Sequence, residues 1–450
     1  MSLRVAVVGS GPAGFYAADA LLRSEDPQVE VDVIDRLPTP WGLVRLGVAP
    51  DHENIKAVSR AFEKTAAKPG FRFFGNVEVG STVSHDDLLE VYDAVVYTVG
   101  AQTDRRLGIP GEDLPGSWAA TEFVAWYNGH PDFQHLEFDL SHERVVVIGN
   151  GNVAIDCARM LALTPEELAP TDTTHEAIDA INGAGVREIL MLGRRGPVQA
   201  AFTPPELKEL GELAGADVVV DPADLELDAA SERELEADRE RARRNFELLE
   251  EYAAREPEGK PRRIVLRFLV SPLAILGEDK VEGVEIVRNE LVEEDGRIVA
   301  RPTGETEIVP AGLVLRSVGY KGVPLPGVPF DERSGTIPND RGRVEGAERT
   351  YAAGWIKRGP SGVIGTNKKD ATETVDLLLE DARGGKLARP EAAQPLQALL
   401  DERGANYVSY EGWQAIDAVE RGAGEPLGRP RVKLHEWEKL LETGLKKITR

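Results

Sequence analysis

The sequence predicts an α/β fold with two glycine-rich strand–turn–helix units, and two observations carry that prediction. Residues 9–14 (GSGPAG) and 149–154 (GNGNVA) are two such glycine motifs, and each follows a short apolar run. The motifs lie about 140 residues apart, which is the length of a domain rather than of a single crossover. At 450 residues the chain is also too long for one compact core. We therefore expect two nucleotide-binding domains.

The first unit has its elements in the order strand, turn, helix, strand and acid. Residues 3–8 (LRVAVV) and 29–34 (VEVDVI) predict two buried parallel strands, joined by a helix over residues 13–23. The helix would point its positive N-terminal end at bound phosphates. Asp35 ends the second strand, 21 residues after the last glycine of the motif. A carboxylate at that place accepts hydrogen bonds from ribose hydroxyls.

The three glycines of the first motif have separate roles. Gly9 permits the tight turn, Gly11 lets the backbone approach a pyrophosphate, and Gly14 lets the helix pack closely on the strand. A glycine motif alone is weak evidence, whereas the complete order of elements around it is specific. The first unit is therefore predicted to bind a dinucleotide.

The second unit differs from the first in the residues that follow its second strand. Residues 144–148 (RVVVI) and 188–192 (EILML) predict its strands, and Ala154 takes the place of the third glycine. Arg194 and Arg195 follow where the first unit has an acid. An acid would repel a 2′-phosphate, whereas two guanidinium groups bind it through charge-assisted hydrogen bonds. This unit is predicted to select the phosphorylated nicotinamide dinucleotide.

Composition excludes several classes of protein. The net charge of −24 argues against nucleic-acid binding, and no apolar run reaches the ~18 residues of a membrane span. The N-terminal strand runs directly into the glycine motif, so we expect no signal peptide. One cysteine, Cys157, excludes a disulfide within the chain, a CxxC redox pair and a cysteine-ligated cluster. The seven histidines show no metal-ligand spacing, and we expect no metal and a cytoplasmic location.

A local cluster of arginines stands out in this acidic chain. Arg239, Arg241, Arg243 and Arg244 lie in a helix-like run over residues 231–255. The cluster is a candidate docking patch for an acidic electron carrier. An exposed helix with Glu–Arg pairs four residues apart explains the same residues equally well.

The remaining segments indicate how two domains share one chain. Further buried strands are predicted before glycine or polar links, over residues 92–99, 313–318 and 349–353. The polar link 102–106 would leave the first domain. The glycine-rich segment 354–366 then leads into a helix predicted over residues 370–381. The second unit is therefore predicted to be inserted into the first.

Six motifs in this order resemble the adrenodoxin reductase family, and most closely its actinobacterial NADPH–ferredoxin reductases. They are GSGPAGFYAA, PTPWGLVRLGVAPDH, FFGNVEVG, GNGNVAIDCAR, GRRGPVQAAFTPPEL and YAAGWIKRGPSGVIGTNKKDA. The resemblance covers residues 1 to about 380 and implies two Rossmann-like dinucleotide-binding domains. As in glutathione and adrenodoxin reductases, an NADP-binding domain (105–321) would be inserted into a discontinuous FAD-binding domain (1–104 and 322–450). The C-terminal segment carries no usable motif.

The resemblance also implies site residues. Those expected to contact FAD are Gly9, Gly11, Pro12, Ala13, Gly14, Asp35, Leu43, Val79, Trp355, Gly362, Val363 and Ile364. Those expected to contact NADPH are Arg105, Asn150, Gly151, Asn152, Val153, Arg194, Arg195, Glu206 and Gly362. His52 and Asp156 are expected beside the flavin, and Glu209 is expected to hold the nicotinamide amide. A purely structural role for each of these three remains an alternative.

The implied function is reduction of an iron–sulfur ferredoxin by NADPH through FAD, for partners such as cytochrome P450 systems. A thioredoxin-type reductase needs paired cysteines, and the chain has only Cys157. Two alternatives stay open. One is another NADPH-dependent flavin oxidoreductase resembling the glutamate synthase small subunit. The other is a dinucleotide-sensing module without catalysis.

Overall fold

The chain forms two compact units in the computed structural model, which describes residues 2–238, 240–387 and 394–445. Unit 1 comprises Met1–Thr103 and Gly319–Arg450, and unit 2 comprises Asp104–Val318. Unit 2 therefore interrupts unit 1 in the sequence. The crossings at 103/104 and 318/319 lie one and three residues from the 104/105 and 321/322 boundaries expected from sequence.

The strands and helices alternate along most of the described chain. The strands are β1 Leu3–Val8, β2 Val29–Asp35, β3 Phe71–Gly75, β4 Ala94–Tyr97, β5 Thr103–Asp104, β6 Ser117–Ala119, β7 Arg144–Ile148, β8 Glu188–Leu192, β9 Ala216–Val220, β10 Arg262–Arg267, β11 Val270–Leu276, β12 Gly283–Glu294, β13 Arg297–Pro310, β14 Leu313–Arg316, β15 Tyr320–Lys321, β16 Asn339–Asp340, β17 Arg343–Val344 and β18 Thr350–Ala352. The α-helices are α1 Pro12–Leu21, α2 Leu43–Leu46, α3 Glu53–Lys56, α4 Ser59–Ala66, α5 His85–Val91, α6 Ala120–Tyr127, α7 Asn152–Ala162, α8 Pro165–Leu168, α9 His175–Asn182, α10 Pro204–Leu210, α11 Ala229–Ala237, α12 Arg241–Ala254, α13 Trp355–Arg358, α14 Ile364–Arg383, α15 Leu396–Glu402, α16 Tyr410–Gly424 and α17 Trp437–Gly444.

Unit 1 is built on a seven-stranded sheet in the order β16-β17-β18-β4-β1-β2-β3. The five strands from β18 to β3 are parallel, and β16 and β17 add an antiparallel edge. Strand β1 is central, and its Val5 and Val7 side chains have no exposed surface. Helices α1 and α14 pack together and share one apolar cluster with the sheet. A strand buried on both faces needs such a continuous β-branched run, which is the pattern that predicted it.

Unit 2 contains a six-stranded parallel sheet in the order β6-β14-β7-β8-β10-β9. Strand β7 pairs in register with β8, from Arg144 opposite Glu188 to Ile148 opposite Leu192. A separate antiparallel sheet, β11-β12-β13, includes the long hairpin of β12 and β13. Both units thus have α/β architecture with a parallel sheet, and the predicted fold class is confirmed. In the described part of the chain, no helix has the length and apolarity to cross a membrane.

Helix α1 lies within two residues of its predicted bounds, and two other helices differ more from their sequence predictions. Helix α14 begins at Ile364 rather than at residue 370, because the Val363 N–H donates to Thr366 Oγ1 at 3.2 Å and so starts the first turn. The helix-like run 231–255 is two helices, α11 and α12. The Asp238 carboxylate accepts the Arg241 N–H at 3.0 Å, and the second helix begins at Arg241. Such short polar side chains favour helix starts over helix interiors.

The C-terminal segment of unit 1 packs on helix α2 and on the loop that precedes it. Arg45 forms a bidentate ion pair with Glu420, at 2.8 and 2.5 Å, and both side chains are at most 3% exposed. The Trp413 ring lies 5.2 Å from the Arg45 guanidinium and 4.9 Å from the Trp41 ring, edge to face. Glu420 also accepts the Leu434 N–H at 2.8 Å. A buried charge pair with this many partners fixes helix α2 against helix α16.

We expect Glu420→Gln to destabilise unit 1 by about 3 kcal/mol, because the Arg45 charge would stay buried without its counter-ion. The thermal unfolding midpoint should fall by about 6–12 °C. The matched control is Glu293→Gln, which removes the exposed 2.8 Å pair with Arg233 and should cost less than about 1 kcal/mol. Equal midpoints for the two variants would show that the buried pair contributes no more than a surface pair.

Candidate functional sites

The first glycine turn brings backbone against backbone between β1 and α1. Gly9 has φ of 104°, and a Cβ there would lie 2.7 Å from the Thr98 carbonyl. A Cβ on Gly14 would lie 2.0 Å from the Gly9 carbonyl oxygen, so the helix could not approach the strand. A Cβ on Gly11, in contrast, meets no described protein atom within 4 Å. The turn is therefore closed on the protein side and has room for a ligand over the helix N-terminus.

Asp35, at the end of β2, lies beside this turn and fixes it through hydrogen bonds. Its Oδ2 accepts the Ser10 N–H at 2.7 Å and the Ser10 hydroxyl at 2.5 Å, and its Oδ1 accepts the Leu37 N–H at 2.9 Å. Burial raises the pKa of the Asp35 carboxyl, and these hydrogen bonds oppose that rise. A carboxylate can accept about four hydrogen bonds, so acceptor capacity remains for a ribose hydroxyl.

The loop after β2 meets the same turn. Trp41 has φ of 85°, and its N–H donates to the Ser10 carbonyl at 3.0 Å. A Cβ on Gly42, where φ is 52°, would lie 2.9 Å from the Gly11 Cα. Leu43, the first residue of α2, is 41% exposed beside this contact. Leu43 thus directly follows the residue that contacts the glycine turn.

Two other predicted residues of unit 1 lie on separate segments. His52 is buried and occupies the N-cap position of the short helix α3, without a side-chain capping hydrogen bond. Val79 is buried in a bridge with Val83.

The segment from Gly354 to Ile364 leads into the N-terminus of helix α14, as the first glycine turn leads into that of helix α1. Gly354 has φ of 78°, and a Cβ there would lie 2.6 Å from the Ala13 Cβ, so this segment and α1 are in close contact. The Trp355 Nε1 donates to the Ser361 carbonyl at 3.2 Å. Gly362 has φ of 78°, and Val363 is 61% exposed immediately before α14. Pro12, Ala13 and the predicted residues 355 and 362–364 therefore belong to adjoining segments of one unit.

The second glycine turn repeats the geometry of the first in unit 2. A Cβ on Gly149 would lie 2.1 Å from the Ser317 carbonyl oxygen, and a Cβ on Gly151 meets nothing in the described chain within 4 Å. Ala154, in place of the third glycine, is completely buried, so this turn accommodates a methyl group. Asn152 Oδ1 accepts the Thr203 N–H at 2.8 Å and ties the start of α7 to the loop before α10.

Asn150 and Val153, on either side of the Gly151–Asn152 pair, complete this turn. The Asn150 carbonyl accepts the N–H groups of Ala201 and Phe202, at 3.0 and 3.1 Å. Val153 lies in the first turn of α7 and packs against the apolar cluster of unit 2.

Arg194 and Arg195 follow β8 at the end of the sheet where this turn lies. Arg194 is exposed and Arg195 is half-buried. Within the described residues, neither guanidinium lies in an ion pair with a carboxylate. Two adjacent cations with no carboxylate partner, after the strand next to a glycine turn, match the charge of a 2′-phosphate.

Three of the carboxylates predicted for the site converge on one arginine that sequence reasoning missed. Arg159 Nη1 lies 3.4 Å from Asp156, 3.7 Å from Glu206 and 3.5 Å from Glu209. Its side chain is 5% exposed, whereas that of Glu209 is 44% exposed. Arg159 lies one helical turn after Asp156, and this spacing was the available signal in the sequence. A single buried cation thus holds three acids together.

Two further residues complete unit 2. Arg105 is exposed, in the segment just after the first crossing between units. Cys157 is completely buried on α7, and burial raises the pKa of its thiol, which suits a packing role.

The chain is similar over its whole length to several reductases. Residues 3–167 match the family described as pyridine nucleotide-disulphide oxidoreductase. NADPH-ferredoxin reductase FprA of Mycobacterium tuberculosis is 54% identical over 452 residues, which cover 98% of this chain and 99% of that protein. The FprA of Mycobacterium leprae is 52% identical over 98% of each chain. Human mitochondrial NADPH:adrenodoxin oxidoreductase is 43% identical over 97% of this chain and 91% of that protein.

Solved structures agree with the sequence matches. Mycobacterium tuberculosis FprA in complex with NADPH superposes with a TM-score of 0.95 and 53% identity, covering 99% of this chain and all of that one. The resemblance drawn from the six motifs is confirmed. The chain belongs to the family of FprA-type NADPH–ferredoxin reductases and adrenodoxin oxidoreductases.

Proposed function

We propose that this protein is an NADPH–ferredoxin reductase that binds FAD in unit 1 and NADPH in unit 2. The single observation that carries the proposal is the pair of glycine turns with different charge partners. One has Asp35, with acceptor capacity for a ribose, and the other has two arginines for which the described part of the chain supplies no carboxylate partner. The full-length similarity to NADPH-dependent ferredoxin and adrenodoxin reductases supports the same function. FAD, when bound, supplies the exchange between a two-electron hydride and single electrons.

The protein's own contribution is binding, orientation and charge. The helix N-termini of α1 and α7 lie under open space and would hold pyrophosphates through backbone N–H groups. Arg194 and Arg195 select the 2′-phosphate. Glu206 and Glu209, with Arg159 between them, offer acceptors for the carboxamide of a nicotinamide. His52 and Asp156 tune flavin reduction by holding a proton or hydrogen bond, and no nucleophile is required.

The electron acceptor is an iron–sulfur ferredoxin, and its docking surface is a further part of the proposal. The arginine cluster supports it only in part. Arg243 and Arg244 are both about 60% exposed and share one carboxylate, Glu247, at 3.5 and 3.3 Å. Arg241 is paired with Asp238 at 3.2 Å, and Arg239 lies outside the described residues. A cytoplasmic location belongs to the same proposal and is supported by the single cysteine of the chain.

The function is tested directly with the purified holoprotein. We expect a yellow protein with one FAD per chain that is bleached by NADPH without oxygen and then reduces added ferredoxin. A sensing module would bind the nucleotides without turnover. Absence of flavin absorbance after reconstitution with excess FAD would rule the proposal out. Free FAD with heat-denatured protein serves as the control.

The same assay tests the docking surface. Ferredoxin reduction should slow as salt rises, since contact-range charges dominate when the Debye length is about 8 Å. Replacing Arg243 and Arg244 by Glu should raise the KM for ferredoxin and leave ferricyanide reduction unchanged. Faster ferredoxin reduction at high salt would contradict electrostatic docking.

Replacing both Arg194 and Arg195 by Ala should reduce the preference for NADPH over NADH, chiefly because NADPH binds more weakly. Each lost contact to the 2′-phosphate should cost about 1.5–3 kcal/mol, or roughly 10- to 150-fold in kcat/KM. The measurement is kcat/KM for both nucleotides with ferricyanide as acceptor. Arg301→Ala is the matched control, because Arg301 is exposed in the same unit but paired with Glu294. An unchanged NADPH/NADH ratio in the double variant would exclude these arginines as the selective residues.

His52→Ala and Asp156→Ala should each keep FAD and alter the rate of flavin reduction by NADPH. The expected change is about 10²-fold for a group that assists proton transfer, and smaller for one that only orients. Stopped-flow absorbance under anaerobic conditions measures it, with bound FAD counted in the same samples. Reduction traces that match the wild type in both variants would give these residues a structural role.

A further inference from the structure

The backbone of residues 193–195, which includes Arg194 and Arg195, is held by a hydrogen bond at each of its three carbonyls. Gly193, Arg194 and Arg195 each have their carbonyl oxygen engaged by a different donor. The Val270 N–H donates to Gly193 at 3.0 Å and the Leu269 N–H to Arg195 at 3.1 Å. The middle carbonyl, that of Arg194, accepts from the side chain of Asn289 at 2.8 Å. The backbone of residues 193–195 is therefore held at each carbonyl, while among the residues that the structure describes the guanidinium groups of Arg194 and Arg195 have no carboxylate partner.

Asn289 makes this contact from a buried position. Its residue is 3% exposed, and its Nδ2 also donates to Ser271 Oγ at 2.8 Å, so both amide hydrogens are used. Its own N–H donates to the Leu269 carbonyl at 2.6 Å. Its Oδ1 is buried and has no hydrogen-bond partner in the described chain. Burying an acceptor without a partner is costly, so the donors of this amide must be what holds it in place.

Local backbone geometry brings Asn289 to the arginine segment. Leu269, between β10 and β11, has φ of 56°, an unusual conformation for a residue with a branched side chain. Strand β12 has an irregularity in its pairing between Val287 and Asn289. A bulge of this kind redirects a side chain out of the regular ladder. Both irregularities therefore meet at the residues that contact the arginine segment.

We propose that Asn289 is a positioning residue that sets the selectivity for the 2′-phosphate by fixing the Arg194–Arg195 backbone. The inference rests on the proposed role of those arginines. Two long guanidinium side chains grip a phosphate tightly only if their attachment points are already fixed, because less freedom is then lost on binding. Both amide hydrogens of Asn289 are donated to protein atoms, so it would act on the phosphate only through the arginines. Its effect is therefore confined to the part of the ligand that the arginines bind.

The test compares two ligands that differ only in the 2′-phosphate, 2′,5′-ADP and 5′-AMP, on the FAD-loaded full chain. Asn289→Leu removes both donors at similar volume, and Asn289→Asp places a carboxylate oxygen against the Arg194 carbonyl. Both variants should weaken the binding of 2′,5′-ADP on the order of tenfold, which is the size of coupling within one hydrogen-bond network. The affinity for 5′-AMP should stay within about twofold of the wild-type value. In steady state, the KM for NADPH should rise while kcat and the KM for NADH stay nearly constant.

The matched control is Asn245→Leu. Asn245 is also buried in unit 2, donates through Nδ2 to the Phe202 carbonyl at 2.8 Å and has a buried Oδ1 without a partner in the described residues. The Asn245→Leu variant should weaken the binding of both ligands equally or of neither. Asn289→Ser, which keeps a small donor, is the second variant if the larger substitutions fold poorly.

A double-mutant cycle separates the two levels of the proposal. Adding Asn289→Leu to the Arg194→Ala, Arg195→Ala chain should cause no further loss of 2′,5′-ADP binding. If the arginine variant alone leaves the ratio of the two ligands unchanged, the role of the arginines fails. If it lowers that ratio while the Asn289 variants do not, or if they weaken both ligands equally, the positioning role of Asn289 is overturned.

Discussion

The fold of both units depends on one constraint, the contact of backbone with backbone where a central strand turns into a helix. At Gly14 and Gly149 an added Cβ would lie 2.0 and 2.1 Å from a carbonyl oxygen, which no side chain tolerates. At Gly11 and Gly151 the same atom meets nothing described within 4 Å. Each turn is thus closed on its protein side and has open space on its ligand side. This asymmetry is what allows backbone N–H groups to bind phosphate.

The parts that could be predicted from the sequence are those encoded locally. Strands β1, β7 and β8 have the predicted bounds, because a short β-branched run that stops at a glycine turn has few alternatives. The start of α14 and the break before α12, which the prediction placed wrongly, are each set by one hydrogen bond from a backbone N–H to a side chain, that of Thr366 or Asp238. These bonds compete with local propensity and leave a weak signal in the pattern of apolar residues.

The supporting residues of the sites could not be predicted, since they act across large sequence distances. Asn289 contacts a residue 95 positions away, and Arg45 pairs with one 375 positions away. The latter pair also gives the C-terminal segment a role that its sequence did not indicate. It packs on the loop of Trp41 and Gly42, which in turn touches the first glycine turn. The segment therefore supports the first glycine turn of unit 1 through a chain of packed groups.

The strongest sign of a ligand lies in how the chain distributes its cations. It has 77 acidic and 53 basic residues, so a guanidinium group can readily find a carboxylate. Arg159, which is buried, lies near three. Arg194 and Arg195 have none among the described residues, although the backbone that carries them is fixed at three successive carbonyls. In so acidic a protein, two cations on a fixed backbone that have no counter-ion among the described residues would favour an anion from outside the chain. A phosphate monoester is the anion whose charge and geometry suit two adjacent guanidinium groups.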